Sequence, residues 1–211
     1  MIAHAGEHHA AALDLTLHHY NRVLTAEGIT RTSQYHEIML RRPDNVWVER
    51  VLPKSPHQQH ESSAEEHKHF NPEIMPRHIS LKNRQVQIEF ADKEEKCRVA
   101  IDPAEYENVS FDGSWENSYY LVSPSYVASM PPSKRKSNVA SAEWHEITRA
   151  GKFQRILWDK EKQIPLEIET GDVDGAVYNR VEVKISKGLT DSLPWNQLQG
   201  YAQREYADYL D

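Results

Sequence analysis

Histidine is the residue type in this chain that most invites chemistry. Twelve histidines occur in 211 residues, and they are unevenly placed. His4, His8, His9, His18 and His19 lie at the front; His57, His60, His67, His69 and His78 lie in or beside a polar stretch; only His36 and His145 stand apart. Neutral imidazole is a good ligand for Cu, Zn and Ni. His8 with His9, and the pair in His67-Lys68-His69, have chelating spacings, because alternate residues of an extended segment point to one side. The candidate metal set is His4, His8, His9, His57, His60, His67, His69 and His78, with Cu or Zn as the candidate ion. The competing reading is a solvated polar loop that is rich in histidine. No Cys-x-x-Cys or His-Glu-x-x-His spacing fixes a coordination set.

Other chemistry is sparse. No nucleophile motif, phosphate loop or dinucleotide fingerprint is present. Glu143, His145 and Glu146 flank Trp144 as a titratable cluster, and a strand with polar outer positions accounts for them equally. The single cysteine, Cys97, excludes an internal disulfide. It precedes Arg98-Val99-Ala100-Ile101, so it reads as a small buried hydrophobe at a strand start. The expectation is a protein that is not an enzyme.

Charge and hydropathy narrow the partners. The net charge is −7 and the pI is near 5.9. The one basic run, Lys134-Arg135-Lys136, reads as solvated loop charge. Nucleic acid is therefore a poor partner. No run of 18 apolar residues exists, so no transmembrane segment is expected. Apolar residues make up 38%, below the roughly 45–50% of ordinary globular chains. That favours a thin core under a wide sheet. At the front, Ala3-His4-Ala5 fits the small-x-small pattern of a signal-peptide cleavage site. The expectation is a periplasmic protein whose signal has been removed. Cleavage after Ala3 would make His4 an amino-terminal copper chelator.

The elements that must position these residues follow from periodicity. Leu13, Leu17, Tyr20 and Leu24 share one face of a 3.6-residue period, which predicts an N-terminal helix stopped at Glu27-Gly28. Residues 29–40 and 46–52 predict a hairpin across Arg42-Pro43-Asp44-Asn45. Residues 54–77 predict a long His-rich polar loop or insertion. Strands follow at 78–81, 85–90 and 97–101, then an aromatic, irregular stretch at 106–122. Four more strands are expected at 144–149, 153–159, 164–170 and 177–185, joined by short turns. Ser192 and Pro194 open a predicted C-terminal helix carrying Trp195, Leu198, Ala202 and Tyr209. The sum is a single α+β domain over residues 1–211 with an antiparallel sheet.

Two stretches carry a family resemblance. Arg42-Pro43-Asp44-Asn45-Val46-Trp47-Val48-Glu49-Arg50-Val51-Leu52-Pro53 resembles the first hairpin of periplasmic lipoprotein carriers of the LolA type. Residues 156–185 resemble the late hairpins of that superfamily, with Trp158-Asp159, a turn, and Pro165-Leu166 before a valine-rich strand. Phe111-Asp112-Gly113-Ser114-Trp115 is similar to the family's Asp-Gly-x-x-Trp turn. The match covers about half of the chain, and residues 54–105 stand between the first hairpin and that turn.

The resemblance implies a strongly curved antiparallel half-barrel with helices as a lid over an apolar concave face. It implies a non-enzymatic carrier of a lipid or lipoprotein acyl chain. The implied ligand-binding residues are Arg42, Val46, Val48, Leu52, Ile156, Trp158, Leu166, Ile168, Val181 and Val183, which equally serve as packed core. Two further readings stay open. One is a histidine-rich periplasmic metal-binding protein. The other is an envelope protein–protein adaptor with an aromatic patch around Trp195 and Tyr201.

Overall fold

A computed structural model describes residues 10–53 and 70–209. Eleven strands form one sheet. They are β1 (Leu13–Leu24), β2 (Thr30–Arg42), β3 (Asn45–Val51), β4 (Arg77–Lys82), β5 (Gln85–Asp92), β6 (Cys97–Ala100), β7 (Ala142–Arg149), β8 (Lys152–Asp159), β9 (Ile164–Asp172), β10 (Val177–Ile185) and β11 (Ala202–Glu205). Two short helices, α1 (Trp115–Tyr120) and α2 (Pro124–Ser129), stand between β6 and β7. The spatial order is β11-β6-β5-β4-β3-β2-β1-β10-β9-β8-β7, so the sheet does not close into a barrel. Every pairing is antiparallel except β11 with β6.

The predicted N-terminal helix is an interior strand instead. Leu13, Leu15 and Leu17 are all buried in one cluster. Only a two-residue period puts three such leucines on one face; a helix would turn Leu15 away from the other two. The segment then gains backbone partners on both sides, from β2 and from β10. The predicted C-terminal helix is also replaced. Residues 194–200 make a 3-10 turn with Leu198 buried, Gly200 ends it, and the chain runs on as β11 and a last 3-10 turn, Tyr206–Tyr209. Trp195 and Tyr201 are half-buried against Leu40, Trp47, Ala91 and Leu198, so the expected aromatic patch is a packed strap rather than an open surface.

The hairpins stand where turn chemistry puts them. Asn83-Arg84 and Ala150-Gly151 each take positive φ at both positions, the two-residue turn that matches strand twist. Gly171 answers a different demand. A Cβ there would lie 2.3 Å from the Val177 carbonyl oxygen and 3.1 Å from the Phe153 ring, where β9 meets β8 and β10.

Register sorts the side chains onto two faces. Leu15, Met39, Val48 and Val183 lie on one face, and residues 103–130 cover it. Over β8, Val127 of α2 and Met130 just past its end pack on Ile156 and Trp158. The other face carries Leu40 and Trp47 under the C-terminal strap. That face also holds an ion-pair lattice in which Glu169 accepts from Arg135 (2.8 Å) and Arg155 (3.2 Å). Arg135 in addition sits 3.9 Å above the Trp144 ring. The basic run at 134–136 is thus anchored at its middle residue rather than wholly solvated. The polar stretch expected at 54–77 is described only from residue 70. There Phe70 packs edge-on to Phe90 and Tyr206, and Arg77 already belongs to β4.

Candidate functional site

The covered face is not filled everywhere. Where β1 and β2 run past the end of the leucine row, a cavity of about 770 Å³ opens between the sheet and the segment 109–121. Its apolar lining comes from Val48, Ile79, Ile88, Val109, Leu121 and Val181. Its polar lining includes His19, Tyr35, Glu37, Arg50 and Arg77, with Glu73, Asp112 and Arg180 as further charged groups. The alternation that buries Leu13, Leu15 and Leu17 carries on to His19 and Asn21, so polar groups take over positions that continue the core row.

The register builds the polar end. Leu17 faces Glu37 and His19 faces Tyr35 across β1–β2, while Glu37 faces Arg50 across β2–β3. His19 Nε2 approaches Glu37 Oε2 to 2.8 Å, an electrostatic contact whose angle falls short of a hydrogen bond. Arg77 Nη2 donates to Glu37 Oε1 at 3.3 Å. Burial alone would raise the Glu37 carboxyl. The contact with His19 and the charge of Arg77 outweigh it and hold the group below its ordinary value. Glu37 is therefore a buried carboxylate with two cationic or donor neighbours. Tyr35 stacks on His19 with ring centroids 4.3 Å apart, and Arg50 lies 4.0 Å above the other side of Tyr35. Burial, and then the Glu37 charge, push the Tyr35 hydroxyl up. Asn21 donates to Asn179 across β1–β10 and closes the far wall.

The roof is set by the Asp112-Gly113 turn. Gly113 has φ +71°. Asp112 accepts from the Ser114 N–H (2.8 Å) and the Asn117 side chain (2.6 Å), and Ser114 caps α1 through the Asn117 N–H. This places Asn117, Ser118 and Leu121 over the cavity. On its other side α1 packs Tyr119 over Arg41, whose guanidinium is 5.1 Å from the ring.

The sequence-derived ligand residues divide. Val48 and Val181 line the cavity. Val46 and Val183 lie in the main core beneath the same face, and Leu166 packs at its margin. Ile156, Trp158 and Ile168 are occupied by α2, and Leu52 is exposed beyond β3. Arg42 is not brought to the cavity: it pairs with Asp14 at 2.7 Å and donates to the Leu13 and Thr190 carbonyls. Its neighbour Arg41 is the fully buried one. Arg41 donates to the carbonyls of Ala11 (2.9 and 3.1 Å), Lys162 (2.7 Å) and Gln163 (3.0 Å). The same two-residue period that buries Met39 points to Arg41, and it is the signal that the reading of Arg42 passed over.

Of the candidate metal ligands, His4, His8, His9, His57, His60, His67 and His69 lie outside the described residues. His78 is described and does not fit. Its Nδ1 is 2.9 Å from Glu89 Oε1, its Nε2 is 2.9 Å from Asn45 Oδ1, and its ring is buried under Trp195, so no nitrogen is left for an ion. His145 bonds the Met130 carbonyl through Nδ1, away from Glu146, which is held by Arg155 and Ser133. The cluster around Trp144 is thereby divided between two faces.

No family model matches the chain, and no curated protein matches it. Solved structures do. A putative outer membrane lipoprotein-sorting protein domain from Vibrio parahaemolyticus is similar at 14% identity and TM-score 0.34, covering 88% of this chain and 91% of that one. A chain of the Pseudomonas aeruginosa MucA/MucB complex is similar at 11% identity and TM-score 0.39, over 88% of this chain and 55% of that one. PNGF-II is similar at 10% identity and TM-score 0.41 over 94% of this chain, which spans 32% of the PNGF-II chain.

Proposed function

We propose that the protein is a non-enzymatic binding protein of the cell envelope that holds one amphiphilic, lipid-like molecule. The cavity of about 770 Å³ carries this reading. Its size suits a single small ligand, within the roughly 300–1,000 Å³ of such sites. The apolar part of the ligand rests on Val48, Ile79, Ile88, Val109 and Val181, where each buried methylene contributes about 0.8 kcal/mol. The polar end meets Arg50, Arg77 and the Glu37–His19 pair. Elsewhere Ile156 and Trp158 pack beneath α2, so the binding region is shorter than a groove running the whole sheet.

The test is a titration of the purified protein with dodecanoate and with dodecylamine, read by native mass spectrometry and by tryptophan fluorescence. One-to-one binding of dodecanoate, lost in a folded Val181→Trp protein, supports the reading. Unchanged binding in that variant, or no binding of either amphiphile, overturns it.

A further inference from the structure

The uncovered side of β1 and β2 carries a histidine pair that the cavity does not use. His18 and His36 are direct partners across the β1–β2 ladder. Their rings meet edge to face with centroids 4.3 Å apart. Directly opposed residues hold their Cβ atoms about 4.5–5.5 Å apart, a span that lets two imidazoles turn one nitrogen each toward a shared ion. His36 is exposed and His18 is half-exposed. Among the described residues no side chain or backbone group hydrogen-bonds either ring, in contrast to His78 and His145.

The register places a carboxylate next to the pair. Glu182 of β10 is the partner of His18 on its other side, so His36, His18 and Glu182 stand in a row across three adjacent strands. Two imidazoles suit a borderline divalent ion such as Zn²⁺, and the Glu182 carboxylate, whose oxygens do not converge with both rings, adds neighbouring negative charge rather than a third bond.

We propose that His18 and His36 form a surface site for a borderline divalent cation of the Zn²⁺ type, with Glu182 as the adjacent carboxylate. The ion bridges β1 and β2 on the side opposite the cavity. Occupancy of the site is independent of the amphiphile reading, since no group is shared between the two.

The experiment titrates Zn²⁺ alone into the ligand-free protein. It follows the assigned imidazole resonances of all observable histidines, together with the thermal unfolding midpoint. Expected are shifts of the His18 and His36 rings at the lowest Zn²⁺ additions and a rise in the midpoint. His18→Asn and His36→Asn each weaken that binding about tenfold or more, the scale that even outer-shell losses reach at metal sites. Both variants leave the metal-free midpoint in place, because the side chains are at the surface. Glu182→Gln weakens binding less than either. Unmoved His18 and His36 rings in the presence of Zn²⁺ overturn the proposal. So does a Zn²⁺ affinity and midpoint rise that both asparagine variants retain, which would place the metal on other histidines.

Discussion

Trp195 lies flat on His78, with ring planes 3° from parallel and centroids 5.4 Å apart. His78 is itself buried and tied to Glu89 and Asn45. The indole is thus the anchor that holds the C-terminal strap on the sheet, with Leu198 as the second point. Replacing it, Trp195→Ala, removes a half-buried aromatic and should cost about 2 kcal/mol, less than the ~3–5 of a fully buried one. Limited proteolysis should then cut between β10 and the strap while β1–β10 persist. Wild-type protease resistance in the variant would refute the anchoring role.

Arg41 is wholly buried, and its donors reach three carbonyls on two distant stretches of chain, residue 11 and residues 162–163. Arg41→Ala strands those acceptors, each at about 1–3 kcal/mol. Stability should fall by several kcal/mol by chemical denaturation. Arg41→Lys should rescue little, because an ammonium cannot reproduce the guanidinium fork. Full rescue by lysine would show that charge alone is required.

Glu37, Glu89 and Glu169 are partly to mostly buried, and all three are held below the ordinary carboxylate value of 4.5. Burial pushes each up; His19 and Arg77, His78 and Arg98, and Arg135 and Arg155 respectively pull each down by more. A carboxyl whose folded pKa is depressed contributes stability above its unfolded pKa and loses it as pH falls through the folded pKa. The share of stability these carboxylates contribute should therefore be constant near neutrality and fall as pH drops below about 4.5. Glu37→Gln should make that fall shallower in urea titrations across the acid range. An identical acid profile in the variant would mean that Glu37 contributes no linkage.

Gly171 is a point of close backbone approach between β9 and β10. A methyl group there meets backbone at 2.3 Å, which no side-chain rotation relieves. Gly171→Ala should destabilise by about 1–3 kcal/mol. The amide protection of Tyr178, its partner in β10, should drop with it in hydrogen exchange. A neutral thermal midpoint would show that the two strands can separate at no expense.

Much of the sheet was legible. The runs at 144–149, 153–159, 164–170 and 177–185 stand as β7 to β10, because short turns and period-two alternation agree there. The first strand was not, because Leu13, Leu17, Tyr20 and Leu24 also satisfy a helical period. The decision lay in Leu15, and in pairing partners distant in sequence. The tail failed for a similar reason: spacing placed Trp195 and Leu198 on one face, while the docking surface of Leu40 and Trp47 was invisible. The cavity was half legible. Alternation found Val48 and Val181, but a search for apolar positions passed over His19, Tyr35 and Glu37, which continue the same row in polar form.

The place of β1 inside the sheet bears on how the chain assembles. Its neighbours β2 and β10 belong to opposite ends of the sequence, and Asn21 meets Asn179 across 158 positions. The strand made among the first must wait, with one backbone edge unsatisfied, for a partner made among the last. Such non-local pairing slows folding and leaves an exposed template for wrong partners in the interval. A chain of this design is thus at its most vulnerable between synthesis of β2 and arrival of β10, when a holding chaperone would matter most.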